Sequence, residues 1–132
     1  MQNTSRTNTN YSDLDLNFTI HPVTHDISKK VGDEAIKRSI RNLVLTNFWD
    51  RPFRSHIGSN VPKMLFENIN STTARLIAQN IEDVIKNFEP RASLLKVDVS
   101  VSDSNELQID IQFTTLNSLL PLTTTIFLER VR

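Results

Sequence analysis

From Asp33 to about Asn47 the apolar residues Ile36, Ile40, Leu43 and Val44 recur at i, i+4, i+7 and i+8, the spacing of one helical face. Gly32 precedes this stretch. Asp33 and Glu34 place two acids at the positive end of the expected helix, and Glu34 and Arg38 have the favourable i, i+4 separation for a pair. A second helix is expected from a cap at Asn70 or Ser71. Leu76, Ile77, Ile81, Val84, Ile85 and Phe88 form its apolar face, and Pro90 forbids its continuation.

After Pro90 the period changes to two. Leu95, Val97, Val99 and Val101 alternate with Lys96, Asp98, Ser100 and Ser102. Beyond a turn at Asp103-Ser104-Asn105, Leu107, Ile109, Ile111 and Phe113 alternate with Glu106, Gln108, Asp110 and Gln112. This predicts a hairpin of half-buried strands. A third strand over about Leu122 to Val131 follows the connection Leu116 to Pro121. The fold class is therefore α+β: two main helices on one face of a three-stranded antiparallel sheet.

The flanking segments are less regular. Residues 1 to 10 carry no apolar residue after Met1, so burial cannot offset their ordering entropy, and a flexible N-terminal tail is expected through residue 12. Residues 13 to 132 then form one domain. Leu14, Leu16, Phe18 and Ile20 alternate as a short extended arm that Pro22 closes. Residues 48 to 63 hold two prolines, a glycine and several rings without a period, which reads as an ordered loop. A helical turn over Met64 to Asn68 follows.

Composition narrows the function classes. The 132 residues carry 15 basic and 15 acidic side chains, so no basic surface is forced and nucleic-acid or membrane binding is not indicated. Cysteine is absent, which removes disulfides, thiol nucleophiles and cysteine metal sites. His21 and His25 have a chelating separation on a helix, but Pro22 lies between them, so turn histidines are expected rather than a metal site. No phosphate loop or nucleophile motif is present. Glu67 and Glu89 are the acids nearest to aromatic residues at helix ends, and nothing in the spacing brings them together; Glu82 and Asp83 read as the solvated side of the second helix. No catalytic residue, cofactor, metal or small-molecule substrate is assigned.

Binding features are more evident. Lys29, Lys30, Lys37, Arg38 and Arg41 form the one basic concentration, either a solvated helix face or a docking face for an acidic partner. Phe48, Trp49, Phe53 and Ile57 crowd beside Arg51 and Arg54, more apolar matter than a connection needs. They either cap the helices or present anchors. Phe88-Glu89-Pro90-Arg91 sets a charge pair around a rigid proline, suited to directional, bidentate recognition.

Together the Arg51-Pro52-Phe53 loop with Gly58, the Leu65-Phe66-Glu67 turn, and the run from Asn80-Ile81 through Ile85 and Phe88 to Glu89-Pro90-Arg91 resemble one family. This is the gene-25-like baseplate wedge family of contractile-tailed phages, related to W-type baseplate proteins and the TssE component of type VI secretion. The resemblance covers about residues 28 to 132, with His56-Ile57 departing from the residues relatives often carry before the loop glycine.

The resemblance implies a structural subunit of the virion tail baseplate, assembled in the host cytoplasm, whose partners are other wedge proteins and the tail sheath protein. It implies docking through Glu89, Pro90 and Arg91, and partner contacts at Trp49, Arg51, Pro52 and Phe53. It also implies a sheet able to exchange strands with the sheath. The equivalent subunit of a secretion system is the alternative, and a lysozyme label carried by some relatives is a further one. Loss of Arg91 is expected to impair docking while sparing the fold.

Overall fold

The computed structural model describes residues 11–102 and 106–129, apart from the side chain of Leu119. Residues 1 to 10 of the expected tail, the turn at Asp103-Ser104-Asn105, and the expected strand end at Val131 lie outside the described residues.

The chain runs β1 (Ser12–Leu14), β2 (Lys29–Val31), α1 (Asp33–Leu45), α2 (Val61–Met64), α3 (Ser71–Phe88), β3 (Ala92–Val101), β4 (Glu106–Thr115) and β5 (Ser118–Glu129). Strands β3, β4 and β5 form an antiparallel sheet in that order, and β1 with β2 forms a separate two-stranded ribbon. The α+β architecture of two principal helices against a three-stranded sheet is as the periodicities require.

The core lies where the two periods meet. Ile36, Ile40 and Val44 from α1 and Ile77, Ile81 and Ile85 from α3 pack against Leu107, Ile109, Ile111 and Phe113 of β4. All ten are fully buried. At about 1.5–3 kcal/mol for each large side chain removed from water, this contact dominates the stability of the domain. Strand β4 is central, so its inward positions are covered on both sides, and every one predicted from the alternation is buried.

The helix ends follow local chemistry. Asn70 Oδ1 accepts from the Thr73 amide at 2.8 Å and caps α3. Gly32 precedes α1 at φ 64°, a conformation costly for residues with a Cβ, and Asp33 in the first turn accepts from Thr115 Oγ1 at 2.9 Å. That bond ties the start of α1 to the end of β4.

Five local expectations are corrected. Glu34 pairs with Lys37 at 3.3 Å rather than with Arg38, whose guanidinium reaches Asp15 instead. The short helix forms at Val61–Met64, one turn earlier than Met64 to Asn68, because Pro62 is preorganised for a first helical turn. Leu76 stands at the flank of the α3 stripe and is exposed. Leu95 is exposed too: the β3–β4 register shifts between Leu94 and Lys96, so Leu95 is the extra residue of a bulge and Leu94 opposes Phe113. Strand β5 begins at Ser118, leaving only Leu116-Asn117 as connection. Pro121 is tolerated within β5 because this strand is an edge and the register is irregular there.

The arm differs most. The chain turns at Asp15 to Phe18, makes a bridge between Ile20 and Ile27, reverses around His21 to His25, and returns as β2. The reversal uses Pro22 and the His21 ring, whose Nδ1 accepts from the Val23 and Thr24 amides at 3.3 Å. Thus the expected extended arm over Leu14 to Ile20 is broken by a turn after β1, and Leu14, Leu16, Phe18 and Ile20 are all exposed.

Candidate functional site

Pro90 ends α3 and forces an immediate entry into β3, which brings Glu89 and Arg91 to one corner. Arg91 Nε donates to Glu89 Oε1 at 2.6 Å and Nη2 to Oε2 at 2.8 Å, a bidentate pair. Nη2 also reaches Asp13 Oδ2 at 3.5 Å, and the guanidinium carbon stands 5.2 Å from the centre of the Tyr11 ring. Glu89 is 2% exposed and the Arg91 side chain 21%.

Burial would raise the Glu89 pKa, but hydrogen bonds from Arg91 and Ser39, with the Arg91 charge, hold it below its ordinary value. The same pairing raises Arg91. The corner is therefore a closed clamp between α3, β3 and the arm. The expectation that Arg91 is an exposed charge whose loss spares folding is corrected: it neutralises a buried carboxylate.

A second clamp holds the arm to α1. Arg38 Nη2 donates to Asp15 Oδ1 at 2.8 Å, and Lys30 lies 3.9 Å from the other oxygen. Asp15 is buried, and its pKa is lowered first by the Asn17 amide and then by Thr19, Lys30 and Arg38 against the cost of burial. Three members of the basic concentration are thus paired, Lys30 and Arg38 with Asp15 and Lys37 with Glu34, while Arg41 and Lys29 form no ion pair among the described residues.

The aromatic loop is pinned at its base. The Ser59 amide donates to Thr46 O at 2.7 Å, and Ser59 Oγ donates to Val44 O at 2.6 Å. Gly58, at φ 155°, lies so close to the other strand of the loop that a Cβ there would stand 2.7 Å from the Asn47 carbonyl. Within the loop, the Trp49 amide donates to Ser55 O at 2.9 Å. Trp49 and Phe53 hold φ of 78° and 66°, in the left-handed region that bulky residues rarely enter. Their side chains are 78% and 106% exposed, and Arg51, Pro52 and Arg54 are exposed beside them. Of the two readings of this loop, Trp49 and Phe53 fit the presentation of anchors, while Phe48 and Ile57 are partly buried.

A groove of about 510 Å³ is lined by Leu14 and Leu16 of the arm, Arg51, Arg54 and Ile57 of the loop, Asn42 and Leu43 of α1, and Phe88 of α3. The sequence placed these residues in unrelated segments. Glu67 sits elsewhere, exposed on the turn after α2 and lining a different groove with Lys63, Met64 and Leu76. The sequence carries one local signal for the clamp residues Asp13 and Asp15, the Asp-x-Asp spacing that puts both acids on one side of an extended chain, and none for Tyr11.

The sequence profile of the family described as baseplate wedge protein gp25 matches residues 30–118. The chain is 33% identical over 109 residues to the baseplate wedge protein gp25 of Enterobacteria phage T4, spanning 82% of each. Among solved structures it resembles a putative tail lysozyme from Geobacter sulfurreducens, with 26% identity, a TM-score of 0.69, and coverage of 76% of this chain and 92% of the other. In fold it also resembles a protein of the anti-feeding prophage baseplate, with 23% identity, a TM-score of 0.65, and coverage of 89% and 84%.

Proposed function

The chain belongs to the family of baseplate wedge protein gp25, a component of contractile injection machines, and we propose that it is a structural wedge subunit of a contractile phage tail. It docks to the wedge core and offers an open sheet edge on which sheath assembly begins. The observation that carries the docking role is the pinned loop holding Trp49 and Phe53 outward at positive φ. Aromatic side chains are frequent anchors at protein interfaces, and strained backbone persists where surrounding structure enforces it.

Each site residue has a part in this reading. Trp49, Arg51, Pro52 and Phe53 meet the partner. Glu89 and Arg91 set the corner from which the exposed Pro90 projects, and they hold the arm in register through Asp13. The sheath role is supported by the sheet itself: β3 and β5 are edges, and from Leu122 to Glu129 strand β5 continues in regular register with β4. Such an edge accepts an added strand through backbone hydrogen bonds.

Catalysis is not part of the proposal. A glycosidase acid needs a raised pKa, whereas Glu89 is closed in an ion pair that lowers it. Glu67 lines a groove to which Glu89 does not contribute.

The test is reconstitution with the wedge and sheath proteins of the same tail. Incorporation into a discrete particle that seeds sheath, and its loss in Trp49→Ser/Phe53→Ser with the fold intact, is the expected result. A chain that stays outside the particle overturns the assignment.

A further inference from the structure

We propose that the groove between the arm and the aromatic loop binds a segment of another baseplate protein in which acidic side chains flank apolar ones. This deepens the docking reading above, and it rests on it for the partner being a protein. The arm's strand β1 lies ahead of the residues matched by the family profile, so this surface is built partly from sequence outside the matched region.

Three observations give the occupant its chemistry. The groove has apolar surface among polar groups: Leu14 and Leu16 of the arm, Leu43, Ile57 and Phe88 line it together with Ser39 and Asn42, and Leu14 and Leu16 are more than half exposed. The rim is cationic, since Arg51 and Arg54 are exposed and form no ion pair among the described residues. The acids beside it do not offset that charge, because the two clusters balance: Asp13 and Glu89 share Arg91, while Asp15 is shared by Arg38 and Lys30, which leaves no net charge between them.

The same clamps preorganise the site. They fix the arm wall to α1 and to the corner, while Ser59 and Gly58 fix the loop wall. A partner therefore has little ordering to induce on this side, which favours affinity. Two guanidinium groups above aliphatic walls suit carboxylates with neighbouring Leu, Ile or Phe side chains. A nucleic acid would instead require a run of phosphate contacts and bases stacked on rings.

The experiment uses the full chain and overlapping labelled peptides covering the other baseplate and sheath proteins of the same tail, read by fluorescence anisotropy. Peptides combining Asp or Glu with large apolar residues should bind, and binding should weaken with added salt. Arg51→Glu/Arg54→Glu should lower that affinity about tenfold or more, with an unchanged circular dichroism spectrum. Leu16→Asp, which places an acid on the apolar wall without touching either arginine, should weaken the same peptides.

Absence of any acidic, apolar peptide among the binders overturns the proposal, as does binding that survives the double charge reversal. Binding of a single-stranded oligonucleotide in place of peptides also overturns it. Incorporation into the particle without peptide binding removes this inference alone and leaves the wedge assignment standing. Peptide binding without incorporation does the opposite.

Discussion

Replacing Arg91 by Ala deletes both side-chain hydrogen bonds to Glu89 and leaves a carboxylate that is 2% exposed with Ser39 and the backbone amide of residue 91 as its remaining donors. Breaking a buried ion pair from one side typically costs about 3–5 kcal/mol. Here the penalty for the unpaired charge has a ceiling, because Glu89 can take up a proton, while the stabilisation the pair gives the parent chain is lost besides. From its ordinary value of 4.5 to neutral pH is about 2.5 pH units at about 1.4 kcal/mol each, or about 3.5 kcal/mol. Retention of the Ser39 and backbone hydrogen bonds and water entering the space left by the guanidinium lower this penalty, and the lost stabilisation of the pair adds to it, so about 3 kcal/mol is expected at neutral pH.

The ceiling predicts a pH signature. In the parent chain the folded Glu89 has the lower pKa, so the pair stabilises above pH 4.5 and loses that contribution as the pH falls through the folded value. In Arg91→Ala the folded carboxyl has the higher pKa, so the variant's deficit grows as the pH rises above 4.5, and it closes only below 4.5, as the parent's Glu89 also takes up its proton. Urea unfolding followed by far-ultraviolet circular dichroism at several pH values measures the difference. Adding Glu89→Gln to Arg91→Ala should recover part of the stability, because the unpaired charge is gone. A deficit under about 0.5 kcal/mol that does not change with pH would refute the buried clamp, since only an exposed pair is worth so little.

Gly58→Ala should destabilise by about 2 kcal/mol or more, because the new Cβ meets backbone at 2.7 Å and φ is 155°; the same urea titration reports it, and an unchanged midpoint would mean that the loop base moves freely. Asn70→Ala should cost about 1 kcal/mol through loss of the α3 cap, measured as a fall in thermal midpoint. Because Asp15 and Glu89 are both held below their ordinary values of 3.8 and 4.5, the parent chain should lose stability on acidification below pH 4.5. Asp15→Asn should shallow that decline, and an equally steep loss in the variant would remove Asp15 as a contributor.

Much of the scaffold follows from short-range pattern. The stripe of Ile36, Ile40, Leu43 and Val44, the cap at Asn70, the stop at Pro90 and the alternation from Leu107 to Phe113 each concern residues within a few positions of one another. Backbone geometry alone relates such neighbours, through periods of 3.6 or two, and so they can be read in one dimension. The prominence of the Trp49 to Phe53 loop and of the Glu89 to Arg91 corner was visible in the same way, as apolar or charged matter that no period explained.

The contacts of that corner were not visible. Arg91 meets Asp13 from 78 positions away, and Arg38 meets Asp15 from 23, so no local spacing selects these partners over the other acids. The bulge that turns Leu95 outward depends on how β3 aligns with β4, and the exposure of Trp49 depends on where the pinned loop leaves α1. Charges have no preferred partner along the chain, and the depth of a side chain depends on what packs over it. Both are settled when helices and sheet close on one core, which is why the clamps and the groove emerge only in the folded chain.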